Sequence, residues 1–260
     1  MQPLPRPVLI GVIHLPALPG SPQHQPPTAQ IIERAVSDAV TLERAGFAAA
    51  IIENFGDIPF FAERIEPGSI AAMAMAAAEV RRATRLVLGI NALRNDALAA
   101  LGIAAATGAA FIRVNVHTGV YATDQGLIEG RAGETLRYRH RLGADIGILA
   151  DVHVKHAAAL YPADIAVAAR ETAYRGCADA LIVTGSATGV PVNLDDLRQV
   201  KAAAPDRPVL VGSGASVQTV RLLLEHADGV IVGTAIKHDG QTTGPVNPDL
   251  ARAFVEAAGH

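Results

Sequence analysis

Tryptophan is absent from this 260-residue chain, and aromatic residues together make up only 4% of it. Its core must therefore be built from aliphatic side chains and alanine, which suits closely packed helices and strands. Cysteine occurs once, at Cys177, which excludes a disulfide framework and a thiolate metal cluster. Basic charge is not in excess: 22 Lys and Arg stand against 25 Asp and Glu, a formal net charge of −3. Without a basic field, nucleic acid is not an expected partner. No apolar run approaches the roughly 20 residues of a membrane-spanning helix, and the first residues do not read as a signal peptide. The expectation is a soluble, cytoplasmic protein forming one domain over residues 1–260, without a transmembrane segment.

What the chain does have is half its residues hydrophobic, in short β-branched runs that alternate with helical periodicity. Strands are predicted at residues 8–13, 48–52, 86–90, 111–116, 146–152, 180–183, 208–211 and 229–232. Helices are predicted to open at Thr28, Ser69, Asn95-Asp96, after Gly130, near Pro162, at Asn193, at Ser216 and at Asn247-Pro248. A joint containing glycine recurs between helix and strand, at Gly46, Gly108, Gly143, Gly176 and Gly229, where a left-handed C′ residue suits the turn. Residues 15–27 hold five prolines and form the loop after the first strand. Two other connections, 55–68 and 117–130, are too long for minimal turns and are candidate lids. Eight strand-then-helix units with no segment left over predict a single (β/α)8 TIM barrel in the α/β class. A doubly wound sheet is the rival, but no strong glycine fingerprint follows the first strand.

A barrel carries its working residues at the C-terminal ends of its strands. Those ends are polar here: His14, Glu53, Asn91, Arg113, Asn115, His117, Asp151, His153, Lys155 and Thr184. The alternation of the fourth and fifth strands sets Arg113, Asn115 and His117, and then Asp151, His153 and Lys155, toward the barrel interior. Arg113 and Asp151 could form an ion pair that only braces the barrel. The convergence of Asn115, His117, His153 and Lys155 is harder to explain as bracing, because unpaired polar groups are costly inside a core. His14 is either catalytic or a satisfied structural histidine. Glu53 is a general base, a metal ligand or a partner for Arg94. Lys155 is a Schiff-base lysine or an anion-binding one. A divalent metal on His14, Glu53, Asp151 and His153 is possible, although no tight ligand motif supports it.

Two glycine stretches in the last third carry the firmest signal. Gly212, Ser213 and Gly214 follow the seventh strand, and Gly233 and Thr234 follow the eighth. Loops seven and eight of a barrel form a phosphate cradle from backbone N–H groups. Lys237, just beyond, could add charge. Tight turns alone are the plainer explanation of such glycines. The stretch from Thr184 to Gly189 has a similar composition and could line the same pocket.

Several strings together resemble the BtpA/SgcQ family over essentially the whole chain. They are G-V-I-H-L-P-A-L-P-G-S-P at 11–22, E-N-F-G-D at 53–57, G-I-N-A-L-R-N-D at 89–96 and I-R-V-N-V-H-T-G at 112–119. T-D-Q-G at 123–126, I-E-G at 128–130, A-D-V-H-V-K-H at 150–156 and the glycine stretches complete the set. The resemblance implies a TIM barrel beside phosphate-binding barrels such as phosphoribosylanthranilate isomerase. Those isomerases use a cysteine ending the first strand and an aspartate on the fifth, positions held here by His14 and Asp151. The founding family member is associated with photosystem I accumulation as a peripheral membrane factor.

The function expected is isomerase or lyase chemistry, by acid–base proton transfer, on a small sugar or nucleoside phosphate. His14, Glu53, Asn115, Asp151, His153 and Lys155 would be the catalytic set. Asn91, Arg94, Arg113, His117, Thr184, Lys237 and the two glycine loops would bind substrate. A non-catalytic assembly factor with peripheral membrane attachment is the alternative, and a homo-oligomer is expected in either case.

Overall fold

The computed structural model describes residues 7–154, 156–161, 164–185 and 192–259. Strands and helices alternate as β1 (Val8–His14), α1 (Thr28–Ala45), β2 (Ala49–Glu53), α2 (Pro67–Ala83), β3 (Val87–Asn91), α3 (Ala97–Thr107) and β4 (Phe111–Val114). A hairpin, β5 (Val120–Thr123) and β6 (Gly126–Glu129), precedes α4 (Ala132–Leu142) and β7 (Gly147–Val152). Then come β8 (Ala157–Ala159), α5 (Ile165–Arg170), β9 (Ala180–Val183), α6 (Leu194–Ala203) and β10 (Val209–Val211). The chain ends with α7 (Val220–Leu224), β11 (Gly229–Val232) and α8 (Pro248–Ala257).

Eight of these strands close a parallel barrel in the order β1-β11-β10-β9-β7-β4-β3-β2, as the strand count predicts. Period-two alternation divides each strand between two cores. Val8, Ile10 and Val12 join Ala49, Ile51, Phe111, Leu149, Ile182, Leu210 and Ile231 inside the barrel. Leu9 and Ile13 point outward with Ile52, Ile90, Ile148 and Val183 into the layer packed against the helices. Phe111 is the one aromatic ring in the interior cluster, and burying it is worth about 1.5–3 kcal/mol. Its space comes from the neighbouring strand, since a Cβ on Gly89 would stand 2.1 Å from the ring. Among the described residues the lower barrel is thus filled with hydrocarbon, which leaves the C-terminal mouth for a ligand.

The helix boundaries follow the sequence with identifiable exceptions. Gly46, Gly108 and Gly143 end helices with φ of 102°, 74° and 62°. Gly176 does not: its φ is −79°, and Cys177 takes the left-handed turn at 52°. A side chain on Gly176 would strike the Thr172 carbonyl, so close approach explains that glycine. Asp96, Asn193 and Asn247 cap their helices with side-chain oxygens. Thr28 and Ser69 do not cap. Their helices begin behind Pro27 and Glu66 without a side-chain cap, and the Ser69 hydroxyl donates to Asp57. The helix expected from Pro162 begins at Ile165, capped by Asp164, and continues into a π turn at Glu171–Arg175.

The two long connections differ in kind. Residues 55–66 have no regular structure but are pinned through Asp57, which accepts from Leu18 N, Asn54 Nδ2 and Ser69 Oγ. Residues 117–130, expected as a loop, contain the β5–β6 hairpin turning on Asp124-Gln125, and β8 adds a third antiparallel strand. Tyr121 and Ile128 pack on Val116 and Val154, so this small sheet has its own apolar seat on the barrel rim.

Candidate active site

Three inward side chains stand side by side where β1, β2 and β3 end: His14 pairs in register with Glu53, and Glu53 with Asn91. Asn91 Nδ2 donates to Glu53 Oε2 at 2.6 Å, while Glu53 Oε1 lies 3.6 Å from His14 Nε2. The His14 ring meets Phe55 edge to face, with centroids 5.0 Å apart. On its other side a Cβ at Gly233 would stand 2.6 Å from His14 Cε1. Gly233 therefore makes room for the imidazole, which an ordinary turn glycine would not need to do.

The next sector is a charge cluster. Arg113 Nε and Nη2 donate to Asp151 Oδ1 and Oδ2 at 3.0 and 3.1 Å, a bidentate pair. Asn115 Nδ2 donates to Asp151 Oδ2 at 3.1 Å. The Asp151 side chain is shielded completely from solvent. Burial opposes the Arg113 charge, but Asp151 outweighs it, with Glu53 adding, and holds the guanidinium above its ordinary range. For Arg94 burial prevails over the pull of Asp151, Asp124 and Glu53, so its range is lowered.

Two cavities open at this mouth. The first, about 240 Å³, lies between His14, Glu53, Phe55 and Arg113 and the loops at 212–216 and 233–235, with Gly240 and Thr242 at its edge. The second, about 360 Å³, is walled by Phe60, Leu93, Arg94, Asn115, Asp124, Gln125 and His156. Glu53, Phe55 and Arg113 line both. The glycine loops thus face one side of Glu53, and the hairpin faces the other.

Of the residues expected from sequence, His14, Glu53, Arg94, Arg113, Asn115, Gly212, Ser213, Gly214, Gly233 and Thr234 line one or both cavities. Asn91 and Asp151 stand behind them as supports. Ser213 Oγ accepts from Gly185 N at 2.9 Å, tying the sixth loop to the seventh. Thr184 turns its hydroxyl to the His153 carbonyl, at 3.4 Å. His153 has a left-handed backbone, φ 54°, and sets its ring edge to face with Tyr121. Neither Thr184 nor His153 lines these two cavities. Lys155 and residues 186–189 lie outside the described residues.

Three expectations are corrected. Lys237 is not in the cradle: fully buried, it reaches Asp38 on α1 at 3.4 Å, outside the barrel. Asp38 also accepts from Val246 N, so this pair ties α1 to the segment before α8. His117 does not face a ligand either. Strand pairing on β4 stops at Val114, the chain turns away, and His117 Nε2 donates to the Gly176 carbonyl at 2.8 Å. The third concerns the metal: among the described residues no group of three or more His, Cys, Asp or Glu could hold an ion. Asp151 is taken by Arg113 and Asn115, Glu53 by Asn91, and His153 is turned toward Tyr121.

Sequence reasoning missed Phe55, Phe60, Gln125, Ser216, Thr242 and His156 as wall residues. Phe55 and Gln125 sit in the family-like strings E-N-F-G-D and T-D-Q-G, which were the available signal.

Burial, more than the opposing contact to the Gly176 carbonyl, lowers the His117 pKa, so the imidazole stays neutral in the fold. The unfolded chain binds that proton near pH 6.5 and the native state does not. Stability therefore falls as pH drops below about 6.5. Urea melts at about pH 7.5 and about pH 5.5 should show this fall, and His117→Gln should flatten it. An unchanged slope in the variant would show that His117 does not drive it.

A closed eight-stranded parallel barrel, apolar below and polar at its C-terminal mouth, defines a protein of the TIM-barrel class. The chain belongs to the BtpA family, whose pattern matches residues 6–260. It is 45% identical over 249 residues to the photosystem I biogenesis protein BtpA of Synechocystis sp., covering 96% of this chain and 87% of that one. An uncharacterised protein of Thermococcus kodakarensis is 48% identical over 250 residues, covering 96% and 94%. An uncharacterised mitochondrial protein of Caenorhabditis elegans is 34% identical over 244 residues, covering 91% and 87%. Among solved structures, phosphoribosyl anthranilate isomerase from Thermus thermophilus superposes with a TM-score of 0.61 at 12% identity, covering 97% and 98%. KGPDC from Streptococcus mutans superposes with 0.61 at 15% identity, covering 99% and 98%. No described helix is long and apolar enough to cross a membrane.

Proposed function

We propose that this chain is an enzyme that moves protons on a small phosphorylated metabolite, as an isomerase or lyase. One observation carries the reading: Glu53 and His14 face the same cavity as the backbones of the two glycine loops. The phosphate rests on residues 212–216 and 233–235, where missing side chains let backbone N–H groups come close. The sugar carbons then lie beneath Glu53. Its carboxylate, oriented by Asn91, takes a proton from carbon and returns it to a neighbouring carbon. His14 exchanges the proton of the adjacent oxygen, and Arg113, held rigid by Asp151, stabilises negative charge developing there. Asp151 has both oxygens engaged by Arg113, and this supports a positioning role in place of the acid–base role expected from sequence.

The name of the Synechocystis relative points instead to assembly of a photosystem. A relative in a nematode, which has no photosystem, favours a role not tied to one. Thermal denaturation with inorganic phosphate, ribose 5-phosphate and ribose tests the proposal. A phosphate compound at about 100 times its Kd adds about 2.7 kcal/mol, a rise in Tm of roughly 5–10 °C for a chain of this size. Ribose should give none. If no phosphorylated compound raises Tm, the phosphate reading is wrong and the assembly role gains.

A further inference from the structure

Asn115 and Gln125 each keep a buried side-chain oxygen without a hydrogen-bond partner among the described residues. Both amides are oriented by a carboxylate: Asn115 Nδ2 donates to Asp151, and Gln125 Nε2 donates to Asp124. A carboxylate accepts, so the atoms left over are acceptors, Asn115 Oδ1 and Gln125 Oε1. Asn115 is only 3% exposed, where an unsatisfied acceptor is expensive. Both side chains line the second cavity, and neither has a part in the proton transfer proposed above.

Three of the other walls of that cavity are apolar, beside the polar Glu53, Arg94, Arg113, Asp124 and His156. Phe55 and Phe60 stand edge to face at 6.3 Å, and Leu93 joins them. Aromatic and aliphatic walls with a few placed acceptors suit a flat ring that carries N–H donors. A polyol would also donate, but it would leave three apolar side chains against hydroxyl groups. The second cavity, at about 360 Å³, is larger than the first, at about 240 Å³. The space beyond Glu53 therefore has room for a group at least as bulky as the phosphorylated end.

We infer that the second cavity holds a planar, hydrogen-bond-donating heterocycle joined to the phosphorylated sugar in the first, which makes the ligand class nucleoside monophosphates. This rests on the phosphate reading above and narrows it. The sugar bridges the two cavities at Glu53, Phe55 and Arg113, the three residues they share. Asn115 Oδ1 and Gln125 Oε1 accept from ring or exocyclic N–H groups.

Isothermal titration of the full chain with ribose 5-phosphate and with the adenosine, guanosine, cytidine and uridine 5′-monophosphates tests this. At least one nucleotide should bind about tenfold or more tightly than ribose 5-phosphate, the gain expected from burying one ring. Phe60→Ala and Gln125→Ala, both on surface segments, should each erase most of that advantage, with ribose 5-phosphate affinity altered less than about twofold. Ribose 5-phosphate binding as tightly as every nucleotide overturns this inference and leaves the phosphate reading standing. A preference for nucleotides that survives both substitutions also overturns it. No binding by any phosphate compound overturns both.

Discussion

Asp151→Ala is expected to lower the stability of the fold by about 3–5 kcal/mol, because it leaves a buried guanidinium without its counter-charge. Arg113 is 4% exposed, and its bonds to Asp151 are what hold it in the charged form against burial. Asn115 loses its acceptor in the same substitution. For a chain of this length the loss corresponds to a fall in Tm on the order of 10 °C. Urea denaturation followed by circular dichroism measures it directly. Asp151→Asn separates charge from shape: it preserves one acceptor and should cost less than the alanine variant. An alanine variant within about 0.5 kcal/mol of the parent, the range of ordinary surface substitutions, would refute the bracing role.

The second large effect is catalytic. Glu53→Gln should reduce proton transfer by about 10²–10⁴-fold, the usual contribution of a positioned acid–base group. The amide oxygen of glutamine still accepts from Asn91, so neither the fold nor phosphate affinity should suffer. The readout is exchange of a carbon-bound hydrogen for solvent deuterium, followed by NMR. The compound used is the phosphorylated one that raises Tm most. Equal exchange in parent and variant would remove Glu53 from the chemistry. Exchange lost together with phosphate binding would make it a binding residue instead.

These two carboxylates show how far the sequence could be read. Both were marked by their place at a strand end, and alternation turned Asp151 inward. Nothing local distinguished them. Asp151 meets Arg113 and Asn115 on the adjacent strand, whereas Glu53 is held by Asn91 on one side, has His14 on the other and lines both cavities. The same limit explains His117, which followed the period-two pattern on paper. The strand ends at Val114, so the pattern no longer governs it and a carbonyl 59 residues away captures the ring. The hairpin at 120–129 was read as a loop because its strands are four residues each and no helix or long apolar run announces them. Its apolar seat, Val116 and Val154, comes from two other segments.

The order of amino acids by itself determined the eight strand–helix units, the barrel class, the inward polar ends and the two glycine loops. Each follows from interactions within a few residues: alternation, helical spacing, caps and turn conformations. Only the tertiary structure decided which polar groups are already committed and which face open space. Lys237 finds Asp38 at a separation of 199 residues, and Glu53 finds Asn91 at 38. Gly233 makes room for a ring on β1 that closes the barrel beside it. Pairings of that range depend on barrel closure and register, which no local pattern encodes. The glycines mark where an anion fits, and closure of the barrel brings Glu53 to face it.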